Sequence, residues 1–151
     1  MLLLNLPTYP TKVTEKKGKK YILDLVRNKY VALTPEEWVR QHFVNYLMTE
    51  KGFPKELLAN EVAIKLHNTN KRCDTIAYDR FLTPLVIIEY KAPDIEITDK
   101  VFDQIVRYNM VLQVKYLIVS NGFNHFCCQI DYLTQSYSFL QYIPDYKELE
   151  K

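Results

Sequence analysis

Leu85-Val86-Ile87-Ile88-Glu89-Tyr90-Lys91 is the stretch on which the reading of this chain turns. Its apolar start places large aliphatic side chains on both alternating faces, as a strand covered on both sides of a sheet requires. Alternate strand residues share a face, so Glu89 and Lys91 point together while Tyr90 turns away. The plain reading of such a pair is an ordinary ion pair on an exposed strand. Its position directly after a buried run favours a chemical use instead.

Working outward, Arg72 through Tyr78 reads as a second strand, and Glu61 through His67 as its partner across a polar turn at Asn68-Thr69-Asn70. If the strand carrying Asp74 lies beside the one carrying Glu89, then Asp74, Glu89 and Lys91 converge at one end of the sheet. Two carboxylates suit a hard cation such as Mg²⁺, with water and phosphate oxygens completing its shell; Mn²⁺ is a substitute. A cation there can polarise a phosphate ester. Lys91 can orient or activate the attacking water, or steady the phosphoryl transition state, and the sequence does not separate these roles.

The flanking elements follow from local signals. Thr34 is placed to cap a helix, with Pro35 in its first position and Glu37 completing a capping box; the helix runs to about residue 50 and stops before Gly52-Phe53-Pro54. Lys55 through Ala59 adds a short turn or helix. Thr98 caps a second long helix over roughly residues 99 to 113, packing through Val101, Phe102, Ile105, Val106, Tyr108 and Leu112. Lys115 through Ser120 returns as a strand to a turn at Asn121-Gly122, Phe123 through Ile130 is the next strand, and Tyr137 through Tyr142 precedes a short helix after Pro144. Lys19 through Val26 and Tyr30 through Leu33 suggest a hairpin. The first 18 residues, with Pro7, Pro10 and a basic stretch, read as an extended arm whose Leu2 through Leu6 could dock on the core, and residues 19–151 as one domain.

Composition sets the limits. A chain of 151 residues with 48 % hydrophobic content can bury one core. Its 20 Lys and Arg against 18 Asp and Glu leave any nucleic-acid surface to local placement. Cys73, Cys127 and Cys128 form neither a disulfide framework nor a zinc pattern, and His42, His67 and His125 lack metal spacing. No stretch approaches the roughly 20 apolar residues of a membrane helix, and the opening Leu-rich stretch lacks a signal-peptide pattern, so cytoplasmic residence is expected. No Walker-type phosphate loop is present.

The ordered set Thr34-Pro35-Glu36-Glu37-Trp38-Val39-Arg40-Gln41, Glu61, Lys71-Arg72-Cys73-Asp74, Glu89-Tyr90-Lys91, Gln104, Tyr108-Asn109 and Asn121-Gly122 resembles the PD-(D/E)xK nuclease superfamily. It is more closely similar to the N-terminal nuclease domain of the type I restriction enzyme motor (R) subunit. Cys73 stands where the proline that names the superfamily would be. The resemblance implies an α/β, restriction-endonuclease-like mixed β-sheet flanked by helices, and a Mg²⁺-dependent DNA endonuclease. Asp74, Glu89, Lys91 and Gln104 would be its catalytic residues. Asp74 and Glu89 would be metal ligands, with Glu37 (or its neighbour Glu36) or Glu61 as further candidates. Glu37 also has its local role as the capping acid, and Glu61 can be a solvated strand residue. Gln104 would position water, phosphate or Lys91. Lys71, Arg72, Tyr108 and Asn109 are candidate contacts to DNA or supports for the site, and a motor protein is a candidate partner. The same pattern also fits a catalytically inactive nuclease-fold module for DNA binding or protein assembly.

Overall fold

Six strands form the centre of the molecule, and the computed structural model describes residues 2–66 and 69–150 of it. Before the sheet come three short strands, β1 (Val13–Lys16), β2 (Lys19–Asp24) and β3 (Lys29–Ala32), which pair antiparallel as a separate sheet in that order. The helix α1 (Pro35–Glu50) and a 3₁₀ turn at Lys55–Leu57 lead to β4 (Leu58–Leu66), β5 (Thr69–Tyr78) and β6 (Pro84–Tyr90). After α2 (Asp99–Asn109) come β7 (Tyr116–Ser120), β8 (His125–Asp131), β9 (Ser136–Leu140) and α3 (Tyr146–Leu149). The large sheet runs β4-β5-β6-β7-β8-β9, antiparallel except for the parallel pair β6–β7 that α2 bridges. Among the described residues no helix is long and apolar enough to cross a membrane.

Strand alternation sorts the core into two layers. Val86, Ile88 and Tyr90 of β6 face α1, where Val39, Phe43, Val44 and Leu47 cover them. Ile87 faces the other way, onto Phe102 and Val106 of α2. Cys127 joins the first layer and Cys128 the second, and all three cysteines are free and buried. The apolar run 85–88 therefore sits at the centre of the sheet with both faces covered, as its composition implies.

Several expectations are corrected. Residues 2–18 lie against the body, by the docking that the Leu-rich start allowed: Leu4 and Leu6 pack on the core, Asn5 N–H donates to Gly122 O at 2.8 Å, and Trp38 Nε1–H donates to Leu2 O at 2.9 Å. Its last part is β1, because Lys17 and Gly18, both at positive φ, close a hairpin onto β2. Thr34 caps α1 by accepting Glu37 N–H at 3.1 Å, but the Glu37 side chain does not close the capping box, since Arg40 and Gln41 engage its carboxylate. The second helix ends at Asn109, continues as a 3₁₀ turn over Met110–Leu112, and stops where Gln113 adopts a left-handed conformation. Tyr108, expected on its packing side, is 55 % exposed.

The strand expected from Phe123 begins at His125, because Asn121 Oδ1 accepts the N–H groups of Phe123 and Asn124 and holds them in the turn. Gly122 in that turn has φ 90°, and a Cβ there would lie 2.8 Å from a Leu4 methyl, so only glycine fits. Thr69 already belongs to β5, whereas His67 and Asn68, the rest of the expected strand end and polar turn, lie outside the described residues.

Candidate active site

The paired register of β5 and β6 ends at Thr75↔Ile88, and beyond it the strands part. Side chains then satisfy the backbone that the ladder no longer pairs. Tyr90 N–H donates to Asp74 Oδ2 at 2.9 Å, and the Asp74 carbonyl accepts from Arg40 Nη1 at 2.9 Å. On the other side of β6, Lys91 N–H donates to Ser120 O at 2.9 Å, which carries the hydrogen bonding one residue past the strand. Alternation puts Glu89 on the α2 side, level with Asp74 and next to the Lys91 backbone.

Asp74 and Glu89 line the same cleft and are near enough to influence each other's ionisation. Burial raises the pKa of both carboxyls; the Asp74 charge adds to the rise at Glu89, and the Glu61 charge adds to the rise at Asp74. Glu89 is pushed up to about 7, burial first and then the Asp74 charge, with Lys91 and Asn109 pulling the other way. The Asp74 carboxyl is raised against the opposing pull of Tyr90 N–H and Arg40. Arg40 thus favours ionised Asp74, and Lys91 favours ionised Glu89.

A second group of acids lines the same cleft, an open space of about 660 Å³. Arg40, buried on α1, donates from Nε to Glu37 Oε2 at 2.9 Å, from Nη2 to Glu37 Oε1, and from Nη1 to Glu61 Oε1 at 2.9 Å. Gln41 adds a bond to Glu37 Oε2 at 2.8 Å, and Arg72 Nε one to Glu61 Oε2 at 2.9 Å. Every oxygen of Glu37 and Glu61 is thus engaged by a donor. Burial disfavours the Arg40 charge, but Glu37 and Glu61 more than reverse this and hold it firmly protonated. Glu61 is likewise held below the usual carboxylate range, Arg72 and Arg40 outweighing its burial.

Beneath the strand ends runs a buried polar chain. Tyr90 O–H donates to Thr75 Oγ1 at 3.0 Å, Thr75 O–H to Asn60 Oδ1 at 2.7 Å, and Asn60 Nδ2–H to Asp24 at 3.1 Å. Asp24 also accepts from Arg27 Nε at 2.8 Å and from the N–H groups of Val26 and Arg27. The small sheet is thereby tied to β4, β5 and β6 through buried groups.

The sequence-derived set is brought together in part. Asp74 and Glu89 line one cleft, and the Lys91 charge acts on Glu89. Glu37 and Glu61 share the cleft but are held by arginines, and Glu36 lines it. Gln104 is exposed on α2, and no hydrogen bond of its side chain is present among the described residues. Lys71 Nζ lies over the Tyr108 ring and donates to Tyr108 O, so these two candidates engage each other. Arg72, 67 % exposed at its side chain, pairs with Glu61. Asn109 is only 2 % exposed and donates to Ile105 O, so a direct contact to DNA is closed to it; it lies beside Glu89. Its Oδ1 is buried without a hydrogen-bond partner.

The neutralising role of Arg40 was not read from the sequence. Its signal was an Arg three residues after an acid on a helix whose neighbouring positions are apolar.

A mixed six-stranded sheet with a helix on each face, parting at the strand ends that hold the acids, defines a restriction-endonuclease-like α/β domain. Comparison with known proteins narrows the class. The family described as type I restriction enzyme R protein N terminus (HSDR_N) matches residues 35–144, and the chain belongs to that family. Among solved structures it is similar to a fragment of a putative HsdR subunit of a type I restriction enzyme from Vibrio vulnificus YJ016. That likeness has a TM-score of 0.53 at 20 % identity, covers 78 % of this chain and 24 % of the other, and supports the fold. This chain therefore corresponds to about a quarter of that protein fragment. No curated protein matches it significantly.

Proposed function

We propose that this chain is a Mg²⁺-dependent DNA endonuclease domain that hydrolyses phosphodiester bonds. One observation carries the reading: Asp74 and Glu89 lie in one cleft, both disfavoured as anions by burial, while Glu37 and Glu61 beside them are already paired with arginines. Among the described residues no group of three or more His, Cys, Asp or Glu side chains is arranged to hold a metal ion. Two carboxylates are nevertheless what Mg²⁺ commonly takes from protein, with waters and substrate phosphate filling its remaining positions.

Asp74 and Glu89 would hold the cation, which supplies Lewis-acid polarisation of the phosphate when bound. Tyr90 N–H fixes one Asp74 oxygen, leaving the other to the ligand. Lys91, whose charge favours ionised Glu89, would orient the attacking water or steady charge developing on the phosphate. Arg40 holds the Asp74 backbone in place and keeps Glu37 and Glu61 from competing for the cation. Gln104 is not joined to these groups, and no step is assigned to it. DNA as substrate, a type I motor or other subunit as partner, and residence in the cytoplasm belong to the same proposal.

The test is cleavage of linear, circular and single-stranded DNA by the purified chain with Mg²⁺, Mn²⁺ or a chelator. Metal-dependent cleavage should fall at least about 100-fold in Asp74→Asn, Glu89→Gln and Lys91→Ala, in line with the several kcal/mol such groups supply. Absence of cleavage on every DNA form leaves an inactive binding module as the better description.

A further inference from the structure

The small sheet is the most strongly charged part of the molecule. Residues 12–29 hold seven Lys or Arg against two Asp or Glu, while the whole chain holds 20 against 18, so everything outside this segment is net acidic. Asp24 and Arg27 pair with each other, which leaves Lys12, Lys16, Lys17, Lys19, Lys20 and Lys29 facing Glu15 alone. All six lysines are exposed, and none of them is in a salt bridge among the described residues.

Their arrangement is specific. Lys16 and Lys19 are cross-strand partners, and so are Thr14 and Tyr21, Tyr21 and Ala32, and Leu23 and Tyr30. Directly opposed strand residues share a face, so Lys16, Lys19, Tyr21, Tyr30 and Ala32 lie on one side of the sheet. The other side presents Ile22 and Asp24, both fully buried, to the body of the protein. Like charges opposed across a ladder destabilise it, and a polyanion lying on that face would reverse the sign of the effect. Ala32 also lines the cleft that holds Asp74 and Glu89, together with Arg27 and Val31. The lysine face is therefore continuous with the candidate active site, and the buried chain from Tyr90 to Asp24 fixes one to the other.

We infer that the outer face of β1–β3, centred on Lys16 and Lys19, is the platform on which the phosphate backbone of duplex DNA lies as it enters the cleft. This deepens the nuclease reading and rests on it for the nature of the polyanion. The hairpin tip Lys16-Lys17-Gly18-Lys19 has no apolar side chain to enter a lipid surface, which disfavours a membrane as the partner. Backbone contacts of this kind position a duplex without selecting its sequence.

Binding of the full chain to a labelled duplex of about 20 base pairs, measured in chelator across a range of salt, tests the inference apart from any chemistry. Each lost phosphate contact should reduce the slope of log K against log salt by about 0.9, so Lys16→Gln with Lys19→Gln should flatten it by nearly 2 and weaken low-salt binding about 10-fold or more. The matched control is Lys55→Gln with Lys147→Gln, at the 3₁₀ turn before β4 and on α3, which removes the same charge elsewhere and should leave the slope unchanged. Equal effects from the two pairs, or no effect from the first, overturn the platform. So does unchanged duplex binding alongside lost binding to phosphatidylserine vesicles. Because no metal is present, failure of cleavage would sink the nuclease reading and leave the platform standing, and active cleavage with an unchanged slope would do the reverse.

Discussion

Two pairs of acids share one cleft and meet opposite fates. Glu37 and Glu61 are saturated by Arg40, Arg72 and Gln41, while Asp74 and Glu89 face each other with burial raising both pKa values. The first pair has little to gain from a cation, since its compensating charges are already built in. The second is poised to gain, because burial disfavours both of its charges and a divalent ion would offset them. In this cleft the electrostatic environment, rather than the count of carboxylates, separates groups that hold the fold from groups available for chemistry.

The largest effect that would break this contrast is removal of Arg40. Arg40→Ala leaves Glu37 charged and buried and the Asp74 carbonyl without its donor. Breaking a buried pair in this way costs about 3–5 kcal/mol. Thermal melting should fall by roughly 10 °C or more at this chain length. A drop under about 3 °C would mean the first pair is not neutralised as described.

A gain of stability should follow from Glu89→Gln in metal-free protein. The folded Glu89 pKa lies near 7, above its usual 4.5, so the folded state takes up its proton first. Native stability should therefore rise as pH falls from about 7 toward 4.5, and be least above 7. The Gln variant, which mimics the protonated acid, should be more stable by about 1–3 kcal/mol at pH 8, with the advantage gone near pH 4.5. Chemical denaturation at several pH values reads this directly, and a variant less stable than the parent at pH 8 would contradict it.

The smallest expected change is from Glu61→Gln. Its pair with Arg72 is largely open to solvent, and the Gln oxygen can still accept from Arg40, which keeps Glu37, so the loss should stay within about 1 kcal/mol, well below that for Arg40. A loss as large as the Arg40 variant's would place Glu61 at the centre of the network instead of its rim.

Much of this was legible in the sequence because it follows from local rules. The run 85–88 declared a central strand, and Thr34 and Thr98 declared the helix starts. Alternation alone put Glu89 and Lys91 on one side, and pairing of the adjacent strand, with the resemblance, pointed to Asp74 as their neighbour. What escaped depends on distant parts of the chain. Arg40 reaches Glu61 and Asp74 across 21 and 34 residues, and no spacing rule announces such bonds. The docking of Leu4 on Gly122 joins segments nearly the length of the chain apart. Strand β1 lacked apolar alternation because all four of its residues are exposed, leaving no burial pattern to read. Gln104 and Asn109 were placed by resemblance on one functional helix, yet the 3.6-residue period turns Gln104 to solvent and Asn109 inward beside Glu89.

The most direct measurement is a Mn²⁺ titration followed by electron paramagnetic resonance, with Mg²⁺ as competitor, on the parent chain and three variants. One Mn²⁺ per chain, displaced by Mg²⁺, is expected in the parent and in Glu61→Gln. Affinity should weaken at least about 10-fold in Asp74→Asn and Glu89→Gln, as loss of a ligand requires. Parent-like binding in Asp74→Asn, or binding abolished by Glu61→Gln, would show that the cation is held by a different set of acids.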